Sequence, residues 1–476
     1  MAVADTVLRA PRVITPGGER PAAIGISAGR ITAVDGIDAD IPAAAEIRCA
    51  DDVVVLPGLV DTHVHLQDPG HTEWETFDSG TRAAAAGGIT TLVDMPLDSL
   101  PVTVTVPALE RKRQAAAGRC HVDVGFWAGL TPHNLHLLSD LHHAGALGFK
   151  CFLANTGIDE FPPVSPAHIE AALAELKAFD GVLLVHAEDP HTLPPAASPV
   201  TDYHAFLSGC PPETETMAVA RLIGIAARAG HGGLHIVHVA NAGSAAMIAR
   251  ARRDGVAISA ETCPHYLTFS SDDVPDGATT FKVCPPIRGA ADRTRLWEYL
   301  RQGALEMVVS DHSPSSGADK RHEGGDFAAA PGGISSLQVS LPAVWSAARR
   351  RGVSLCEVAR WMSTRPARLA GLAGKGLIAP GRDADFCLLA PDETFTVDPA
   401  ALAHLQPLTA YAGRTLYGVV RQTWLRGRPI AFDRPRGTLL TRSREAGPAW
   451  QSQRAAETKK GGAAAGDPGP GPESDQ

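Results

Sequence analysis

The chain has 476 residues, enough for more than one domain, although an elaborated α/β barrel alone can exceed about 250. A net charge of −9 gives no basic field for nucleic acid, and no apolar run of about 18 residues marks a membrane span, so the expected partner is a small molecule. The eight cysteines are scattered without a CxxC pair, which excludes a zinc-thiolate cluster or a dense disulfide framework.

In chain order, residues 1–55 carry the alternating apolar segments TVLRAPRVIT and IGISAGRITAVDG, separated by a Pro-Gly-Gly turn. They read as short strands of a hairpin. No charged leader followed by a long apolar core opens the chain, so the expected location is the cytoplasm. The apolar run Val53 to Val60, broken at Pro57-Gly58, then delivers DTHVH at Asp61 to His65. Side chains two apart on an extended segment share a face, with backbones ~6 to 7 Å apart, so His63 and His65 can share one metal ion. Further along, Lys150 is one cation inside the strand-like GALGFKCFL, and lysine is almost never fully buried unless paired. His186 ends GVLLVHAED, His238 ends LHIVHVAN, and Asp311 ends LEMVVSDHSP. Helix-like stretches such as Ala167 to Phe179 and Glu215 to Ala229 lie between these runs, an alternation that predicts repeated β/α units over 56–373. In a closed parallel barrel, catalytic residues come from the C-terminal ends of several strands, where all six of these polar residues fall. A second strand-rich region follows over 374–440, and residues 441–476, ending in KKGGAAAGDPGPGPESDQ, form a disordered tail by composition.

From Val55 to Ile430, the segments PGLVDTHVHLQDPG, EWETFDSGTRAAAAGGITTLVDMPLDSLPVT, GFKCFLANTGIDEFP, LVHAED, HVAN, ETCPHY, KVCPPIR, SDHSP and GGISSLQ resemble the cyclic amidohydrolases of the amidohydrolase superfamily, and among them the allantoinases. The resemblance implies a TIM-like (β/α)8 metal-dependent hydrolase barrel, with both chain ends joined into one small β-sandwich. It implies two divalent metal ions, zinc by default: His63, His65 and Asp311 hold one, His186 and His238 hold the other, and Lys150, carbamylated on its amine, bridges both. It also implies a cyclic ureide substrate and a homotetramer. The residue types agree with the assignment, since zinc and its neighbours take neutral imidazole nitrogens and carboxylate oxygens. Burial and nearby positive charge favour the neutral lysine amine, which can add carbon dioxide. Two dications would acidify the attacking water, and Asp311 would shuttle its proton to the departing amide nitrogen. The structural alternatives are a snorkelling strand-end lysine at Lys150 and a turn N-cap at Asp311.

Substrate choice rests on departures between subfamilies. Dihydroorotases place an Arg and an Asn where this chain has Gln67 and Leu97, and a His where it has Ser315. Without the guanidinium fork, the site has lost the usual bidentate grip on a carboxylate. The stretches Met95 to Pro101 and Gly148 to Pro162 resemble allantoinases more than hydantoinases or dihydropyrimidinases, which stand as the alternative. Asp98, where Asn is usual, and Pro331, where Trp is usual, depart from the allantoinase pattern. Ser313 either donates a hydrogen bond to the substrate ring or caps the following turn. A non-catalytic scaffold is the reading from another class, and retention of all six ligand types argues against it. His235, three residues before His238, is expected on the opposite face, packed between strand and helix. His133, His136, His142 and His143 read as surface residues, Cys151 as core, and His312 and Glu261 as supports for neighbouring ligands.

Overall fold

The computed structural model describes residues 3–193, 199–230, 233–320 and 323–442; the expected tail lies outside them from residue 443 onward. At the centre are eight parallel strands: β1 (Leu59–Val64), β2 (Ile89–Asp94), β3 (Asp123–Phe126, continuing as Ala128–Gly129), β4 (Phe149–Phe152), β5 (Leu183–His186), β6 (Leu234–Ile236), β7 (Ile258–Thr262) and β8 (Met307–Val308). Each pairs in parallel with the next, and the two pieces of β3 serve its two neighbours, β2 and β4. The ring closes where the segment beyond β8 returns to β1, through a parallel bridge between Val64 and His312 and a 2.8 Å hydrogen bond from the His65 N–H to the His312 carbonyl. The fold is therefore the expected (β/α)8 barrel.

Helices occupy the crossovers because their ends are signalled locally. Thr76 and Ser165 form capping boxes for Phe77–Ala86 and Pro166–Leu176, and the Asn241 side chain accepts the Ser244 N–H at the start of Ala242–Arg253. These helices bury their apolar faces against strands that are buried along nearly their whole length, as an all-parallel sheet covered by helices requires.

The second layer is one sheet of eight strands built from both ends of the chain. Val54–Pro57 pairs antiparallel with Phe386–Thr396, matching Phe386 with Pro57 and Leu389 with Val54, so residues more than three hundred positions apart become neighbours. Its N-terminal part runs slightly past the expected edge at residue 55, to Pro57, and β1 begins at Leu59 after Gly58. A Cβ at Gly58 would collide with the Thr90 side chain, so only glycine lets the sandwich strand pass so close to β2 on entering the barrel. The sheet has its own core around Leu8, Ile24, Val55, Phe386 and Trp424.

The two layers are pinned by a buried ion cluster. Lys375 Nζ lies 2.5 Å from Asp123 at the start of β3, 2.9 Å from Asp383 and 2.7 Å from Asp385, and Arg426 also pairs with Asp123. Burial disfavours the Lys375 charge, but the three carboxylates outweigh it and hold its pKa above the ordinary lysine value. Removing one partner of such a cluster leaves buried charges uncompensated. Lys375→Met is expected to lower the unfolding free energy by about 3–5 kcal/mol, read from chemical denaturation, and Lys375→Met with Asp123→Asn to recover part of that loss.

Candidate metal centre

The C-terminal ends of the strands converge on a pocket of imidazoles. His63, His238 and Asp311, all buried, each offer a ligand atom within 4.8 Å of the others. Asp311 Oδ1 stands 3.2 Å from His63 Nε2 and 3.6 Å from His65 Nε2, and the His63 and His65 ring centroids are 5.7 Å apart. On the other side, the His186 ring centroid is 4.5 Å from that of His238, which is 5.4 Å from that of His63. Lys150 is buried on β4, its ammonium 4.9 Å from the Phe152 ring centroid. The charge interactions that shift His63 and His238 include Lys150, so it faces the same pocket. Ser313, two residues after Asp311, lines a small recess with Ser315, Lys320 and Gly333, and its N–H is bonded to the Ile334 carbonyl at 3.3 Å.

The protonation and bonding of the donors bear on whether a divalent cation fits. The His238 Nδ1 is buried with no hydrogen-bond partner among the described residues. Burial, then the charge of Lys150 and the neighbouring histidines, holds the His63 pKa well below the usual imidazole range, and burial with His186 and Lys150 does the same for His238. Both are thus kept neutral, the form that binds metal. Burial opposes protonation of His65, yet hydrogen bonds to Asp311 and Asp98 raise it to about 9. Lys150 is pushed down to about 8 by burial, although Asp311 and Glu261 pull the other way. The neutral nitrogens of His63 and His238, one carboxylate and a lysine displaced toward its free amine fit a divalent cation, and His65 would give up its proton to join them. Two other acidic or sulfur-bearing groups fit less well. Cys263, beside His265 and Asp311, has its thiol held protonated by burial, and the Asp123, Asp383 and Asp385 group already surrounds Lys375.

A supporting layer fixes the imidazoles. Glu261 on β7 accepts from His63 Nδ1 at 2.6 Å, which turns Nε2 toward the pocket, and its other oxygen is 3.0 Å from His235 Nε2. His235 Nδ1 in turn reaches Ser259 Oγ at 2.8 Å. This corrects the expectation for His235, which does not pack between strand and helix. β1, β6 and β7 are not all adjacent in the ring, so the His63, Glu261 and His235 contacts must run through the barrel interior. The alternation argument failed because β6 ends at Ile236 and His238 takes a φ of 39°, which resets the facing beyond the strand. Glu188 accepts from His186 Nε2 at 2.6 Å, and Asp98 Oδ2 lies 2.8 Å from His65 Nδ1. Sequence reasoning noted Asp98 only as a departure and passed over Glu188, although its place two residues after His186 was the available signal. His312 accepts the Ser336 N–H on Nδ1 at 3.0 Å, and Glu75 lies 3.4 Å from its Nε2. Cys151 is buried with its thiol raised to about 12, a core residue rather than a nucleophile.

This geometry belongs with a known class. The model of the amidohydrolase family matches residues 54–430, and the chain belongs to that family, whose members are metal-dependent hydrolases. Among its relatives, the chain is 54% identical over 449 residues to an allantoinase of Streptomyces avermitilis, covering 93% of this chain and 100% of that protein. It is 42% identical over 434 residues to an allantoinase of Arabidopsis thaliana, covering 87% of this chain and 86% of that protein. Among solved structures, the L-hydantoinase (dihydropyrimidinase) from Arthrobacter aurescens superposes with a TM-score of 0.87 at 29% identity, covering 92% of this chain and 100% of that one. That likeness also bears out the barrel with its separate β-sandwich.

Glu261→Gln keeps the size of the side chain and removes the carboxylate behind His63. It is expected to weaken metal binding about 10- to 100-fold, measured by chelator competition, with the fold unchanged by circular dichroism.

Proposed function

We propose that this protein is an allantoinase, opening the cyclic amide of allantoin to allantoate in purine and ureide catabolism. The observation that carries the reading is the gathering of His63, His238 and Asp311 at the barrel mouth of a chain so similar along its length to named allantoinases. In this reading His63, His65 and Asp311 would hold one divalent cation and His186 and His238 the second, with zinc the default metal. Lys150 would serve both as a carbamate: its neutral amine adds carbon dioxide and loses a proton, leaving one negative charge on two oxygens. The shift of Lys150 toward neutrality supports this step.

When bound, the cations supply Lewis acidity, polarising the scissile carbonyl and acidifying the attacking water. Asp311 takes the proton of that water as the ring carbonyl is attacked, then passes it to the departing ring nitrogen as the C–N bond breaks. Glu261 keeps His63 in one tautomer and orientation, and Glu188 does the same for His186. Ser313 is assigned to the substrate ring. We extend the proposal to a barrel over 56–373 flanked by 1–55 and 374–440, to a homotetramer, and to the cytoplasm. Among the described residues, no helix is long and apolar enough to cross a membrane.

The structural likeness to hydantoinases favours a second reading, a hydantoinase or dihydropyrimidinase-like activity on simpler cyclic ureides. Initial rates for allantoin, hydantoin, dihydrouracil and dihydroorotate with metal-reconstituted enzyme and bicarbonate separate the two. Allantoin is expected to have the highest kcat/KM by more than ~10-fold, or ~1.4 kcal/mol of transition-state discrimination, with Lys150→Ala inactive. A preference for hydantoin or dihydrouracil would install the second reading, and four inert substrates with both metals in place would exclude each.

A further inference from the structure

Lys320 is a buried cation that the hydrolytic chemistry leaves without a task. It ends the short helix Gly317–Lys320, in the segment that follows Asp311, and is 3% exposed. Lysine is almost never fully buried unless paired, yet among the described residues Lys320 has no ion-pair partner. Burial and the charge of Lys282 push its pKa down to about 7.

Backbone surrounds the ammonium instead. Nζ donates to the carbonyls of Lys282 at 3.0 Å, Pro331 at 2.8 Å and Gly333 at 2.6 Å. Three acceptors engage all three protons of an ammonium. Thr279 Oγ1 donates to the carbonyl of Lys320 itself, and the Gly333 N–H to that of Lys282 at 3.0 Å. Lys282 repeats the device, its ammonium donating to the carbonyls of Ala328, at 3.1 Å, and Ala330. Two lysines thus stitch together residues 279–282, 317–320 and 328–333, segments that pair in no sheet with one another.

These segments frame the side of the pocket next to Asp311. His312 and Ile334 form a parallel bridge, so Gly333 and Ile334 run alongside the chain from Asp311 to Ser313. Gly333 has a φ of 124°, and a Cβ there would come 2.3 Å from the Ser313 carbonyl oxygen, so its backbone lies directly against Ser313. Lys320, Gly333 and Ser313 line one recess. A shift of Gly333 is therefore passed to Ser313, whereas the metal ligands are held from elsewhere. Asp61 accepts the Ser310 N–H just before Asp311, and Glu261 holds His63.

We propose that Lys320 is a positioning residue for substrate, its ammonium bracing the backbones of Lys282, Pro331 and Gly333 so that Ser313 and the surrounding rim meet the ring of the cyclic ureide. The inference rests on the assignment of Ser313 to the substrate ring and adds what holds that serine in place. An apolar side chain of similar length would fill the space but leave three carbonyls without their donor. The loss falls on binding of the ring rather than on the reacting atoms.

Steady-state kinetics of Lys320→Met, on the cyclic ureide that the parent opens fastest, tests the brace. KM is expected to rise about tenfold with kcat within about threefold of the parent, the pattern of lost ring binding. Metal affinity by chelator competition stays at the parent value. Lys282→Met, which removes only the bonds to Ala328 and Ala330, is expected to move KM the same way by less, and it carries the test if Lys320→Met does not fold. Lys375→Met removes an equally buried cation between the two layers and should leave KM unchanged. A fall in metal affinity that matches the loss of activity would overturn the proposal, as would the same KM shift in Lys375→Met. An active parent whose KM survives in the folded variants would overturn this inference alone, and a parent inert on every cyclic ureide would overturn the functional reading with it.

Discussion

The site depends first on the closure of the barrel by Asp61. This buried carboxylate accepts the Ser310 N–H at 3.0 and 3.2 Å through its two oxygens, and the His63 N–H at 3.1 Å. It thereby ties the end of β1 to the segment that carries Asp311. Burial raises Asp61 to about 7 despite those hydrogen bonds, so the closure keeps an ionisable group in a dry seam. With that seam in place, His63 and Asp311 arrive within hydrogen-bonding distance although they are some 250 positions apart in the chain. Loss of the seam would separate the two halves of the donor set before any side chain in the pocket changed.

Four of the eight non-glycine residues with positive φ among the described residues stand at the same rim. Gln67, Asp98, His238 and Asp311 are non-glycine residues with φ of 59°, 61°, 39° and 48°. Such conformations cost on the order of 1–3 kcal/mol each and persist only where surrounding contacts over-determine them. Here the contacts are visible: Gln67 reaches the Pro314 carbonyl, Asp98 faces His65, and Asp311 sits between His63 and His65. Each kink ends an extended run and turns a side chain inward that regular alternation would have placed elsewhere. The regular barrel thus supplies position, and the strained ends supply aim.

That division explains what could be read from the residues and what could not. His63, His65, Lys150, His186, His238 and Asp311 were legible because each is a polar residue closing a short apolar run, a pattern that survives without knowledge of pairing. The joining of the two chain ends came from resemblance alone, since no local signal matches Val54 with Leu389 across the chain. His235 was misplaced because its facing depends on where β6 stops, and Leu234–Ile236 is too short for periodicity to locate its end. The brace at Lys320 was invisible for a different reason. Its partners are backbone carbonyls, which every residue carries, and Lys320 alone reads as an ordinary surface charge.

Interior polar contacts give the barrel a continuity that neither end has by itself. Ser259, at the second position of β7, lines a cavity at the opposite end of the barrel and holds His235; His235 holds Glu261, and Glu261 holds His63 in the metal pocket. β7 contributes both Ser259 and Glu261 because residues two apart face the same way, so one strand carries the chain along the barrel axis. An apolar core would have filled this space at less desolvation cost, and the buried histidine and glutamate are tolerable only because each is bonded on both sides. The orientation of His63 is therefore set by a column of side chains reaching the opposite face, so substitutions at Ser259 or His235 belong to the metal centre as much as those at its rim.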